Sequence, residues 1–161
     1  MTEYFYLVDE DDKVIGKASR QECHSNPKLI HRSTAVFVFN SKGELFLQKR
    51  SAKKDLDPGL WDVSASGHVA YGETYEQAAV REVKEELGIK TDLKDLLFLK
   101  YRVKQESENS KIFIANHNGP FKLNREEISE GGFFKLQELK NMPSLSPYCL
   151  AVLGEYFKLK K

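Results

Sequence analysis

Residues 67–89 read GHVAYGETYEQAAVREVKEELGI, and this stretch constrains the chain more tightly than any other. A glycine loop opens it, and Thr74 with Gln77 then forms a Thr-x-x-Gln capping box, so a helix starts at Thr74. Gly88 supplies the stop, because glycine readily takes the left-handed conformation that closes a helix. At about 100° per residue, Glu82, Glu85 and Glu86 share one side of that helix. Ala79, Val80, Val83 and Leu87 share another side and are expected to face a core. Stacking three anions at i, i+3 and i+4 disfavours a bare helix by a few tenths of a kcal/mol per pair. Taken alone, such a cluster reads as a solvated surface. The combination of loop glycine, Glu73, Arg81 and three glutamates at fixed offsets makes a different case. A hard divalent cation held by carboxylate oxygens accounts for it, and Mg²⁺ keeps positions open for waters and substrate phosphates.

The rest of the chain surrounds this helix with strands. Tyr4 to Val8 and Val14 to Ala18 read as short strands, and Ser19 with Glu22 as a capping box for a short helix through His24. Thr34 to Asn40 and Leu45 to Arg50 form a hairpin, and Trp61 to Ser64 a strand after a polar loop. Beyond the acidic helix, Leu96 to Val103 and Lys111 to His117 are strand-like, and Phe133-Phe134 begins a strand edge. Leu136 to Lys140 suits one helical turn, and Ser146-Pro147 opens a last helix reaching about Leu159. This order predicts an α/β fold, an α/β/α sandwich with a mixed β-sheet, as one domain over residues 1–161.

A net charge of +1 provides no global field to recruit nucleic acid or a membrane surface, so any phosphate affinity is local. No apolar run approaches the roughly 18 residues that a membrane span needs. Cys23 and Cys149 cannot build a disulfide framework and, with no signal-peptide pattern, fit a cytoplasmic location. The expected partner is a small molecule, with a two-fold homodimer as the default assembly.

The 67–89 segment matches every fixed position of Gly-x5-Glu-x7-Arg-Glu-apolar-x-Glu-Glu-x-Gly-apolar, the Nudix box, and the chain therefore resembles a Nudix hydrolase. The resemblance implies metal-dependent attack of water on a phosphorus of a diphosphate linked to another group, often a nucleoside. It places Glu82, Glu85 and Glu86 on Mg²⁺ (or Mn²⁺) with the backbone carbonyl of Gly67 or a neighbour, and it pairs Glu73 with Arg81. A general base is recruited from outside the box in many such enzymes, and Glu127 matches a commonly acidic position, though it also reads as a surface charge.

The chain is further similar to the branch that includes type 1 isopentenyl-diphosphate isomerase. His24 and His31, Arg50 to Lys54 ahead of Pro58-Gly59-Leu60-Trp61, Ser66-Gly67-His68, Tyr101-Arg102 and Ser146-Pro147 carry that similarity. It implies that Arg50 and Lys54 grip a diphosphate; their alternative is a soluble basic loop. It also implies a second metal site at His24, His31 and His68, completed by two glutamates of a Glu-x-Glu segment. The alternative is ordinary hydrogen bonding by these histidines. The segment from Glu106 to Lys111 does not fix which residues fill the two slots; with Glu108 in one, Ser110 takes the other. The isomerases need a cysteine acid/base where this chain has Ser66, and they lose glutamates of the box that this chain keeps. A serine hydroxyl is too weak an acid and base for that proton transfer. Hydrolysis of a nucleoside-diphosphate-like metabolite is thus expected, with prenyl-diphosphate isomerisation or non-catalytic nucleotide sensing as alternatives.

Overall fold

The computed structural model describes residues 2–161. Its elements run β1 (Tyr4–Val8), β2 (Val14–Ser19), α1 (Arg20–Ser25), β3 (Ile30–Phe39), β4 (Leu45–Arg50), β5 (Trp61–Asp62) and β6 (Ala65–His68). They continue with α2 (Tyr75–Leu87), β7 (Lys94–Arg102), β8 (Ser107–Asn116), β9 (Ile128–Phe134), α3 (Leu136–Leu139) and α4 (Pro147–Leu159). The strands join in one mixed sheet organised around β3. β8 runs parallel to β3 along its whole length, from Ile30↔Ser107 to Phe39↔Asn116. On the other edge of β3, β1, β6 and β4 pair antiparallel in succession.

The alternation of side chains along β3 divides the molecule into layers. Ala35, Phe37 and Phe39 pack with Cys149, Val152, Leu153 and Tyr156 of α4. Val36 and Val38 point the opposite way, onto Ala79, Val83 and Leu87 of α2. A strand buried on both faces reads as a continuous apolar run, which is why TAVFVF lacks polar alternation. The α/β/α sandwich with a mixed sheet is therefore what forms.

Several boundaries differ from expectation for physical reasons. β8 begins at Ser107 rather than Lys111, and its first residues Ser107, Glu108, Asn109 and Ser110 are buried although polar. Polarity hid that strand, because buried strand positions are expected to read as apolar. β9 ends, rather than begins, at Phe133-Phe134, and Gly131-Gly132 masked its course. A side chain at Gly131 would meet the Phe46 ring, with a Cβ only 2.4 Å from Cζ. In α2, Val80 is exposed rather than core, whereas Ala78 and Glu86 are buried. The buried face of α2 is centred on the arc that holds Glu82, Glu86 and Val83, leaving Val80 on one flank and Glu85 on the other.

Candidate active site

Helix α2 is set by its caps. Thr74 accepts from the Gln77 amide at 3.1 Å, Gln77 accepts from the Thr74 amide at 3.0 Å, and Gly88 closes the helix at φ 68°. This fixes Glu82 and Glu86 against β6. A Cβ at Gly67 would lie 2.2 Å from Glu82 Oε1, so the missing side chain is what lets this carboxylate approach the strand. Glu86 is buried, accepting from Gln48 Nε2 at 2.6 Å and from the Ser66 amide at 3.3 Å. Burial first, then the neighbouring Glu82, pushes the Glu86 pKa well above its ordinary value. Burial thus disfavours the carboxylate form of Glu86, and a divalent cation beside it would offset that cost.

Arg81 forms the expected pair with Glu73, at 2.7 Å and 2.8 Å. Glu73 also accepts from the Ala70 amide at 2.9 Å, which ties the glycine loop to the helix. The Arg81 hydrogen bonds outweigh burial and hold the Glu73 carboxyl below its usual range. The same guanidinium donates to Glu82 at 2.6 Å and to the His68 carbonyl at 3.0 Å, so it bridges helix, loop and β6. Glu85 lies apart from this group. Its side chain is 54% exposed and its one cationic neighbour among the described residues is Arg81 at 3.5 Å.

The histidines converge. The capping box of α1, with Glu22 and Ser19 bonded both ways at 3.1 Å, directs His24 toward His68, and their Nε2 atoms lie 3.2 Å apart. His31 is fully buried, stacked on Phe5 at 5.3 Å, and neither of its ring nitrogens has a hydrogen-bond partner among the described residues. Glu106 Oε2 is buried and equally unpartnered, 3.3 Å from His24 Nε2. Glu108 lies 3.6 Å from both His31 and His68. Donor atoms of His24, His31, His68 and Glu106 all fall within 4.8 Å of one another. The Glu-x-Glu pair is thus Glu106 and Glu108. Ser110 is not a member; its hydroxyl bonds to Ser33 and Tyr148. Glu108 lies on β8, whereas Glu106 precedes the strand after a bend at residues 104–105, and strand periodicity alone did not reveal its place in the cluster.

Burial and then Glu108 raise the Glu106 pKa to about 7, and burial and the neighbouring imidazoles lower His24 to about 4. Burial opposes ionisation of Glu108, but His31 and His68 more than offset it and keep the carboxyl well below the ordinary range. The orphaned nitrogens of His31 and the unpartnered Glu106 oxygen fit a bound transition-metal ion, because imidazole and carboxylate are its preferred donors.

Both groups open onto one cavity of about 220 Å³. Its lining contains Gly67 and Glu82 from the box, His68, Glu106 and Glu108 from the histidine cluster, and Arg50, Lys54 and Glu127. Arg50 donates to the Leu56 carbonyl at 2.8 Å and to Asp62 at 3.4 Å. Lys54 lies 3.3 Å from Glu127, which also accepts from Asn124 at 3.3 Å. Asp62, Tyr101 and Tyr148 also line the cavity, and the sequence assigns none of them as a site residue. Asp62 sits in a two-residue strand with no motif of its own, and only the match at Tyr101-Arg102 hinted at Tyr101.

The NUDIX domain model matches residues 29–151. The chain belongs to the Nudix family. It is 36% identical over 151 residues to an uncharacterized Nudix hydrolase of Pseudomonas aeruginosa, covering 88% of this chain and 84% of that protein. It is 34% identical over 152 residues to isopentenyl-diphosphate Delta-isomerase 2 of Photorhabdus laumondii, covering 91% and 85% of the two chains. Among solved structures, DR0079 from Deinococcus radiodurans superposes with a TM-score of 0.82 at 26% identity, covering 99% of this chain and all of that one. This chain keeps a complete box and has Ser66 ahead of Gly67-His68. No helix among the described residues is long and apolar enough to cross a membrane.

Proposed function

We propose that this Nudix protein is a Mg²⁺-dependent hydrolase of a diphosphate linkage in a small, nucleoside-diphosphate-like metabolite. One observation carries the reading. The cavity sets Glu3, Asp57, Asp62, Glu82, Glu106, Glu108 and Glu127 against the cations Arg20, Arg50 and Lys54. A diphosphate entering so acidic a cleft is repelled unless metal ions enter with it. Such ions would be held at Glu82 and Glu86, with Gly67 alongside and Glu85 at the margin. When bound, they neutralise phosphate oxygens and acidify a water.

The chain's own groups supply the rest. Arg50 offers a planar fork to phosphate oxygens, fixed by Leu56 and Asp62, and Lys54 a mobile point charge. Glu127 is the proton acceptor for the attacking water, and Lys54 and Asn124 orient it. His24, His31 and His68 with Glu106 and Glu108 hold a second ion, Mn²⁺ being one candidate. The completeness of that cluster also favours a second reading, a prenyl-diphosphate isomerase with altered chemistry.

Purified protein with Mg²⁺ and a panel of nucleoside diphosphate derivatives should release nucleoside monophosphate or phosphate. Glu86→Gln should lower the rate by about 10- to 100-fold or more through lost metal affinity. Unchanged turnover in that variant removes Glu86 from the reaction. Deuterium uptake from heavy water into isopentenyl diphosphate, without hydrolysis, would select the second reading instead.

A further inference from the structure

The face of the sheet that carries the histidine cluster has a polar counterpart on its reverse. Side chains alternate along each strand, so His31 and Glu108 lie on the α4 side with Ala35, Phe37 and Ile112. Arg32 and Asn109, the next residue of each strand and partners in the register, lie on the α2 side. There both meet one carboxylate. Asp12, in the turn between β1 and β2, accepts at Oδ1 from Arg32 Nε at 3.1 Å, Asn109 Nδ2 at 3.1 Å and the Tyr75 hydroxyl at 2.8 Å. Its carbonyl accepts from Arg32 Nη2 at 2.7 Å. The turn is itself closed, because Asp9 Oδ1 accepts from the Asp11 and Lys13 amides at 2.9 Å each and the Asp9 carbonyl accepts from the Asp12 amide at 3.0 Å. Asn109 is fully buried, and its Oδ1 accepts from Arg102, which also donates to the Glu108 carbonyl at 2.7 Å. On β3, the Arg32 carbonyl accepts at 3.0 Å from the amide of Val69, one residue past His68.

We infer that Asp12 is a positioning residue for the histidine–glutamate cluster, holding His31 and Glu108 side by side from the opposite face of the sheet. The inference rests on the reading above that this cluster holds an ion. Farther along the β3–β8 pair, buried apolar side chains from Ala35 and Ile112 onward fix the alignment, since a slip of one residue would turn each to the wrong face. At the cluster end, Ile30 to Ser33 pair with Ser107 to Ser110, and only Ile30 is apolar. No hydrophobic pattern selects an arrangement there, so polar contacts do. A partly buried carboxylate with three donors is suited to this, because a shift of either strand leaves one of those groups unpaired away from water. Metal affinity depends on donor atoms held in place by the groups behind them. His31 depends on that support most, having no hydrogen bond of its own among the described residues.

The full chain, freed of metal by chelator, is titrated with Co²⁺, and the visible absorption bands that His31→Gln removes report the ion at the cluster. We expect Asp12→Ala to weaken that binding about 10- to 100-fold and to move the bands, at a temperature where circular dichroism shows the variant folded. Asp12→Asn keeps the shape and one acceptor oxygen, suits the same φ of 63°, and should lose less, about three- to tenfold. Asp11→Ala removes an equal charge from the same turn, where only the Asp11 backbone is bonded, and should match wild type. A lower Tm in Asp12→Ala with unchanged Co²⁺ affinity and bands overturns the inference and leaves the cluster a metal site. An equal loss in Asp11→Ala overturns it too. Should Asp12→Ala fail to fold, Asp12→Asn decides on the same two readouts. Should wild type show no bands that depend on His31, the ion reading fails, and positioning is judged on the imidazole NMR resonances of the metal-free protein. Shifts at His31 in Asp12→Asn but not in Asp11→Ala support it, and unmoved resonances or equal shifts in both overturn it.

Discussion

Gly67 lacks a side chain because Glu82 occupies the space one would need. The three atoms nearest to an added Cβ, Oε1, Cδ and Cγ of Glu82, belong to one side chain. Gly67→Ala is therefore expected to leave the fold intact, shifting stability by less than about 1 kcal/mol, while displacing the carboxylate. Mn²⁺ affinity, followed by paramagnetic resonance, should fall about 10- to 100-fold. Wild-type affinity in the variant would mean that Glu82 is not a ligand. The Glu73–Arg81 pair gives a pH signature. The Glu73 pKa is depressed in the folded state, so its contribution is fully present above its ordinary 4.5 and is lost as pH falls through the lower folded value. For a partly exposed pair this amounts to about 1 kcal/mol. Urea titrations of wild type and Glu73→Gln should differ by that amount at pH 7 and converge as pH falls below the ordinary 4.5.

Helix α2 works as a unit because both its ends are fixed. Removing the cap with Thr74→Ala leaves helix amides unsatisfied and should cost about 1 kcal/mol, read as a lower Tm. Gly88→Ala should cost more, about 1–3 kcal/mol. It forces an L-residue to φ 68°, and the new Cβ meets Lys122 Cβ at 2.9 Å and the Lys122 carbonyl at 3.0 Å. That backbone is anchored, because the Lys122 amide donates to the Leu87 carbonyl at 2.9 Å. If Gly88→Ala proves the milder change, the closing turn is more pliant than this packing implies.

At the scale of the whole molecule, the sheet brings two unlike donor sets to one cleft. β6 delivers Gly67 to the acidic pair and His68 to the histidine cluster, while the parallel pairing of β3 with β8 sets His31 beside Glu108. Chelator-treated protein should gain Tm with added Mn²⁺ or Zn²⁺, and the gain should depend on ion concentration. Glu106 titrates at about 7, above the ordinary carboxylate range, so below that pH a proton competes for the same oxygen. The metal-induced Tm gain should therefore shrink as pH falls from 8 to 6, and His31→Gln should abolish most of it. A gain of equal size in His31→Gln would place the ion elsewhere.

The local sequence determined helix α2, its caps, the Glu73–Arg81 pair and the acidic positions, because capping, periodicity and i to i+4 spacing act within a few residues. It also determined the layered fold, through the unbroken apolar run of β3. Which glutamates turn inward was decided by tertiary structure: Glu82 lines the cleft, Glu86 is buried beside Gln48 and Ser66, and Glu85 faces solvent. The same is true of Glu106 and Glu108 closing on three histidines from α1, β3 and β6, and of Asp62, Tyr101 and Tyr148 meeting on one wall. Those contacts join residues distant along the chain, and only strand pairing and helix packing carry the information that unites them.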